Sequence, residues 1–297
     1  MTIVLDRLKA YAGVAPATLV IGVFMIAPLM IILAYSFLEP NPYGGVRPTF
    51  STGAYTKLFY ERDLFDEMVF NATYLKITFR SLWIAAVSVI ACLLIGFPVA
   101  YYIAMQPADR RNLLILLITI PFWTNLLIRT YCWILVLRDT GLINNGLMSA
   151  GLIDSPFTML YSEGAIVLGL IYTYIPFMVL PIYASLERLD LRLIEASRDL
   201  YATKWGTLRQ IVLPLAAPGI IAGSILVFIP GLGAFIAPEL LGGGKNLMLG
   251  SLVQLQFSSA RNWPFGSALA VVIMAVVMLT LMLYARNARK NGGGLQH

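Results

Sequence analysis

The side chains able to do chemistry are few, and their placement points to recognition and force transmission instead of catalysis. His297 is the only histidine and the last of 297 residues. Cys92 and Cys132 stand far apart and offer neither a C-x-x-C pair nor metal-ligand spacing. The apolar stretches hold no histidine, no paired acids and no nucleophile–base set, so catalytic residues, a metal site and a bound cofactor are not expected. GGGKN at 242–246 is glycine-rich but lacks the G-x-x-x-x-G-K-[ST] spacing of a phosphate loop, and reads as a plain loop. What remains is a scatter of polar and aromatic groups inside apolar sequence. Asn125, Arg129, Tyr131 and Trp133 share one run, Tyr174 lies in another, and Phe228, Phe235 and Glu239 lie in a third.

A polar group inside an apolar span usually faces protein or a water-filled cavity. Pro230, Gly231 and Gly233 loosen the backbone just before Glu239, a common device at membrane substrate sites. These residues are therefore candidates to line a solute pathway. Each also has a plainer reading. Arg129 can snorkel to an interface, Asn125 can tie helices together, and the aromatic rings can pack or form an interfacial belt.

The elements that must position them follow from composition. The chain is 59% hydrophobic and 12% charged, with a mean hydropathy of +0.79. Soluble domains carry about 25% charged residues, and a membrane-crossing helix needs roughly 20 mainly apolar residues. The sequence predicts an all-α polytopic membrane protein with six transmembrane helices, near 14–37, 81–105, 112–137, 163–186, 215–240 and 265–284. The first run is too long for a signal-peptide core and reads as a retained helix, with a cleaved signal as the alternative. Residues 38–80 read as a polar outer segment with turns and one or two short interfacial helices.

The net charge of +6 is read through its location. Basic residues collect on the cytoplasmic side of membranes. Arg7 and Lys9, Arg110 and Arg111, the cluster from Arg188 to Arg209, and Arg286, Arg289 and Lys290 fall on one side of a six-span chain. That places a segment at 1–13, a loop at 187–213 and a tail at 287–297 in the cytoplasm. The charge thus suits membrane lipid, and no nucleic-acid partner is expected.

The loop ERLDLRLIEASRDLYATKW is the most charged part of the chain. Leu189, Leu193, Ala196 and Leu200 recur at helical spacing on one face, with Arg188, Arg192, Glu195 and Asp199 on another. Gly206 allows a break, and Thr207 can cap a second short helix from Leu208 to Leu213. This periodicity suits a helix on lipid headgroups or one docked to protein. The mixed acids and bases of its polar face favour protein.

The string E-A-S-x-D-L-x-A, continued by I-x-L-P-x-x-x-P-G-I, resembles the signature loop of permease subunits of bacterial ATP-driven importers. Glu195, Ala196, Asp199, Leu200, Ala202, Ile211, Leu213, Pro214, Pro218, Gly219 and Ile220 carry it. RNLLILLITIPFWTNLLIRTYCWILVL, GLINNGL and VFIPGLGAFIAPELLGGG are similar to the polyamine-type members, of the first of two permease subunit types. The resemblance covers nearly the whole chain from Leu19 to Tyr284.

It implies the type I ABC importer permease fold with a cytoplasmic coupling helix. Glu195, Ala196, Arg192, Arg198, Asp199, Leu200, Tyr201 and Lys204 would meet an ATPase subunit. The implied partners are a second, different permease subunit, two ATPase subunits that hold the ATP and Mg, and a periplasmic solute-binding protein. The implied cargo is a small organic solute: a polyamine such as spermidine or putrescine, or an opine or amino-acid-like compound. An ion-coupled secondary transporter is the competing expectation, although it leaves the signature loop without a task.

Three positions depart from the family pattern. Tyr201 stands where glycine is usual, so either the turn shifts toward Gly206 or backbone strain is tolerated. Leu208 replaces a common phenylalanine. Ala234 stands where an acid is frequent, which, with Arg129, pulls toward a solute bearing an anionic group.

Overall fold

The computed structural model describes the backbone of residues 2–62 and 67–292; the side chains of 1–15, 61–66, 191, 283–285 and 287–297 lie outside the description. Expectations resting on Arg7, Lys9, Arg289, Lys290 and His297 therefore fall outside the described side chains. The chain divides into two compact units, one of residues 1–75 and 252–297 and one of residues 76–251.

The first unit is built on α1 (Thr2–Tyr35) and α13 (Trp263–Gly292), which pack together. The ring of Tyr35 stacks on Trp263 at 6.3 Å. The polar outer segment is not purely helical. It forms a small antiparallel pair, β1 (Leu38–Pro40) with β2 (Val46–Phe50), then one turn of helix, α2 (Gly53–Thr56). A second antiparallel pair follows, β3 (Tyr60–Arg62) with β4 (Met68–Phe70). The NPYGG turn supplies the reason for the first hairpin, since Gly44 and Gly45 take φ of 97° and 87°, which costs glycine little.

The second unit carries most of α3 (Thr73–Ala104), then α4 (Ala108–Thr119), α5 (Leu126–Leu137), α6 (Leu142–Ser149) and α7 (Glu163–Leu186). It continues with α8 (Leu191–Asp199), α9 (Lys204–Thr207), α10 (Leu213–Gly233), α11 (Ile236–Gly242) and the start of α12 (Leu249–Phe257). Because α3 begins at Thr73, Lys76 and Arg80 belong to its first turns instead of the outer segment.

Among the described residues five helices are long and apolar enough to cross a membrane. A bent pair, Ala108–Trp123 with Leu126–Ser149, makes a sixth if counted as one span. The run expected as one span at 112–137 is thus broken, with an 89° bend. A 3-10 turn over Ile120–Trp123, with Pro121 inside, stops the first half, and Asn125 caps the second. The run expected at 215–240 also breaks. Helix α10 stops at Gly233, Ala234 is extended, and α11 starts afresh at Ile236.

Helices α7 and α10 form the backbone of this unit. Gly219 and Gly223, four apart, give α10 a small-residue face. A Cβ at Gly219 would collide with the Pro181 carbonyl, and one at Gly223 would lie 2.9 Å from the Met178 sulfur. Close approach through small residues is how helices pack where lipid is as apolar as leucine. Around this seam Cys92, Ala100, Ile103, Ile182, Leu186, Val212 and Ala216 are buried. Entering α10, the turn Leu208–Val212 is π-helical. Pro214 follows at once; proline lacks an N–H and its ring crowds the carbonyl four residues back, so the wider turn relieves it.

Candidate functional site

Two places gather the residues singled out by sequence. The first is the loop joining α7 to α10. Asp190 starts α8, its carboxylate accepting from the Arg192 N–H at 3.0 Å. Helix α8 ends in a double turn: Ala202 N–H donates to the Ser197 carbonyl at 3.0 Å, and Tyr201 N–H to the Arg198 carbonyl at 2.9 Å. This pair of bonds closes a helix with a left-handed residue after its C-cap, usually glycine. Here that residue is Tyr201, with φ of 59°. The turn has not shifted to Gly206. The left-handed conformation costs a non-glycine residue roughly 1–2 kcal/mol, and the chain tolerates it.

Thr203, not Thr207, caps the next turn, accepting from the Gly206 N–H at 3.1 Å. Gly206 therefore sits inside α9 instead of breaking it. Thr207 has another use: its hydroxyl meets Ser197 Oγ at 2.9 Å, and both residues are buried. Ser197 Oγ also donates to the Ile194 carbonyl at 2.8 Å. Ile194 is buried in the cluster of α3, α7 and α10. The elbow is thus pinned by Ile194, by Leu189 and Leu208 packed against the same cluster, and by one hydroxyl pair.

The inward face of α8 is Ile194 and Ser197, with Leu189 just before the helix packed against the same cluster; the rest of the leucine row faces outward. Leu193 is 47% exposed, Leu200 81% and Tyr201 96%, and Ala196 is exposed with them. Arg192, Glu195, Arg198, Asp199 and Lys204 are exposed too. A cleft of about 430 Å³ opens behind the elbow, lined by Tyr101, Ile194, Arg198, Ala202, Lys204, Trp205, Thr207 and Leu208. Beside the elbow, Arg111 at the start of α4 reaches Glu187 at 3.5 Å.

The second place is the break after α10. A cavity of about 150 Å³ is lined by Leu126, Leu170, Thr173, Tyr174, Pro230, Gly233, Ala234, Phe235, Ile236 and Ala237. The Tyr174 hydroxyl donates to the Pro230 carbonyl at 3.2 Å. Gly250 packs closely against the break, where a Cβ would collide with the Gly233 carbonyl. Of the candidate pathway residues, only Tyr174 and Phe235 line this cavity.

The others do not line it. Asn125 is the N-cap of α5, its Oδ1 accepting from the Leu127 N–H at 2.8 Å. Arg129, one turn on, is 9% exposed, and its Nε has no hydrogen-bond partner among the described residues. Trp133 packs edge-on against Tyr172 at 5.6 Å. Tyr131 is 56% exposed, and Phe228 is half-buried on α10. Glu239 is exposed on α11, one turn beyond the cavity. Two fixing contacts escaped sequence reading. Arg80 pairs with Glu163 at 3.2 Å, and Ser81 Oγ accepts from the Leu249 N–H at 2.8 Å. Both join residues far apart in sequence, for which local periodicity carries no signal.

Among the described residues, five long apolar helices, a bent sixth pair and a charged loop between α7 and α10 are the features of a multi-pass membrane protein. Residues 49–290 match the model of the family described as the binding-protein-dependent transport system inner membrane component. The chain belongs to that family, and is accordingly the inner-membrane component of a multi-subunit importer and not its ATPase. It is 38% identical over 266 residues to the spermidine/putrescine transport system permease protein PotB of Escherichia coli (strain K12), covering 90% of this chain and 93% of PotB. It is 33% identical over 230 residues to the inner membrane ABC transporter permease protein YdcU of the same organism, covering 73% of each. Its fold is similar, with a TM-score of 0.75 at 15% identity, to a chain of a bacterial alginate ABC transporter crystallised with an alginate pentasaccharide-bound periplasmic protein, covering 97% and 96% of the two chains. The type I importer permease fold expected from sequence is the fold observed, with the two small hairpins added to its helices.

Proposed function

We propose that this chain forms one half of the membrane pathway of an ATP-driven importer for a polyamine such as spermidine or putrescine. A second permease subunit forms the other half. A periplasmic binding protein delivers solute, and two ATPase subunits bind ATP and Mg. The likeness to PotB over nine-tenths of both chains carries the solute assignment. The cavity chemistry is compatible with it: aromatic faces at Tyr174 and Phe235, and backbone carbonyls freed by the break, suit ammonium groups. Both termini, the loop at 187–213 and the tail at 287–297 lie in the cytoplasm, as the clustering of lysine and arginine supports.

Glu195 and its neighbours on the exposed face of α8 dock into the ATPase. Closure of two ATPase subunits on ATP pushes this elbow. Ile194 and the Ser197–Thr207 pair pass the displacement to α3, α7 and α10, shifting the population between inward-open and outward-open forms. The resident side chains supply binding and transmission, and no chemical step.

One observation favours a second cargo. Arg129 is buried with Nε unpartnered among the described residues, and an opine or amino-acid-like solute would bring a carboxylate to it. Uptake by the reconstituted transporter with its binding protein separates the two. Labelled spermidine or putrescine should accumulate on ATP addition, and excess arginine or octopine should not compete. Accumulation of the carboxylate compounds alone would reject the polyamine assignment.

A further inference from the structure

Three non-glycine residues hold a positive φ among the described residues: Tyr161 at 61°, Tyr201 at 59° and Arg261 at 50°. Strain of this kind persists only where other contacts over-determine it. For two of the three those contacts are within the chain. The Tyr161 ring lies against Gly243, and its carbonyl accepts from Asn246 Nδ2 at 3.3 Å. The stem of Arg261 runs across Gly44, where a Cβ would sit 3.4 Å from both its Cβ and Cδ.

Tyr201 differs. Its residue is 96% exposed, so its ring gains almost nothing from its own chain. Glycine would close the same turn without strain, because both closing bonds come from backbone N–H groups. A tyrosine held in strain with its ring in solvent is selected by something outside the chain. Leu200 beside it is 81% exposed, and Arg198, Asp199 and Lys204 surround the pair with charge. An apolar and aromatic centre inside a charged rim is the make-up of an interface hot spot.

We infer that Tyr201 is a partner-selecting residue, whose ring fills an apolar crevice on the cognate ATPase subunit. This rests on the docking proposed above and goes further, because it makes the pairing specific. An ATPase subunit evolved for a glycine at this turn has no crevice for the ring and engages this chain weakly.

The test uses the complete transporter purified in detergent, with the rate of ATPase-subunit loss on dilution as readout. Tyr201→Gly should speed loss about tenfold or more, since interface changes act mainly on dissociation. Tyr201→Phe should stay within about threefold of the parent. The ATPase-free permease pair carrying Tyr201→Gly should melt no lower than the parent, because strain is removed and no internal contact is lost. Retention of Tyr201→Gly within twofold of the parent would overturn the inference, as would a lowered melting temperature of the ATPase-free pair. Glu195→Lys, measured alongside, distinguishes the failures. If it sheds the ATPase while Tyr201→Gly does not, the docking stands and the selectivity falls. If neither sheds it, the docking reading itself fails.

Discussion

The elbow between α7 and α10 and the break after α10 are opposite solutions to placing irregular backbone. At the elbow the turns are closed locally: Asp190 and Thr203 cap, Ser197 meets Thr207, and Ile194 reaches the core with Leu189 and Leu208 packed beside it. Leu193, Leu200 and Tyr201 remain exposed beside these bonds. At the break Leu170 and Ala237 are buried while Leu126 and Phe235 stay exposed, the Tyr174 hydroxyl donates to the Pro230 carbonyl, and one turn into α5 Arg129 Nε is buried without a partner among the described residues. The exposed apolar side chains of the elbow suit the docking proposed above, and the cavity at the broken helix suits the proposed solute path. Substitutions at the two places should therefore separate assembly from transport.

The largest effect is expected where both depend on one seam. Gly219→Val drives a branched side chain into the Pro181 carbonyl, and overpacking of this kind costs about 1–3 kcal/mol or more. Yield of folded permease and its melting temperature should both fall sharply. A variant that melts like the parent would show that α7 and α10 can part without cost.

Next comes the hydroxyl pair at the elbow. Thr207→Ala leaves Ser197 buried with one partner fewer, at a cost of about 1–3 kcal/mol. Thr207→Ala combined with Ser197→Ala should recover part of that loss, since both partners are then apolar. Thermal melts of the single and double variants measure the difference, and strict additivity would mean the pair is not coupled.

Smaller effects are expected at the break. Glu239→Gln should raise the KM for solute uptake roughly tenfold, equivalent to about 1.4 kcal/mol, and leave ATPase retention as in the parent. Unchanged uptake kinetics would remove Glu239 from the pathway. Asn125→Ala removes the N-cap of α5 and should cost about 1 kcal/mol, with transport altered only through the loosened bend. Melting and uptake measured on one preparation check both halves of that expectation.

The sequence made different parts of this arrangement legible for different physical reasons. Apolar run length revealed the spans, because lipid imposes it on each helix separately. It hid the 89° bend at Thr124, because Asn125 caps α5 without interrupting the apolar composition that hydropathy measures. Periodicity found α8 and its apolar face, of which Leu193 and Leu200 are exposed, but not the inward contacts of Ile194 and Ser197, which depend on how the helix packs against the core. The departure at Tyr201 was visible as a departure, but only its φ and exposure distinguish a shifted turn from a strained one. Within the pathway, Tyr174 and Phe235 come together because the break brings α7 and the residues before α11 around one cavity. The remaining candidates share runs with them but not that cavity, a distinction that belongs to tertiary packing.

The central claim is that the exposed face of α8 is the contact through which an ATPase subunit drives this permease. Its most direct measurement is the amount of ATPase subunit that co-purifies with the transporter carrying Glu195→Lys, a substitution at an exposed residue outside the elbow's internal bonds. The account predicts that bound ATPase falls about tenfold or more, while the permease pair melts as the parent does and still binds the solute-loaded binding protein. ATPase retained at the parental level would contradict it.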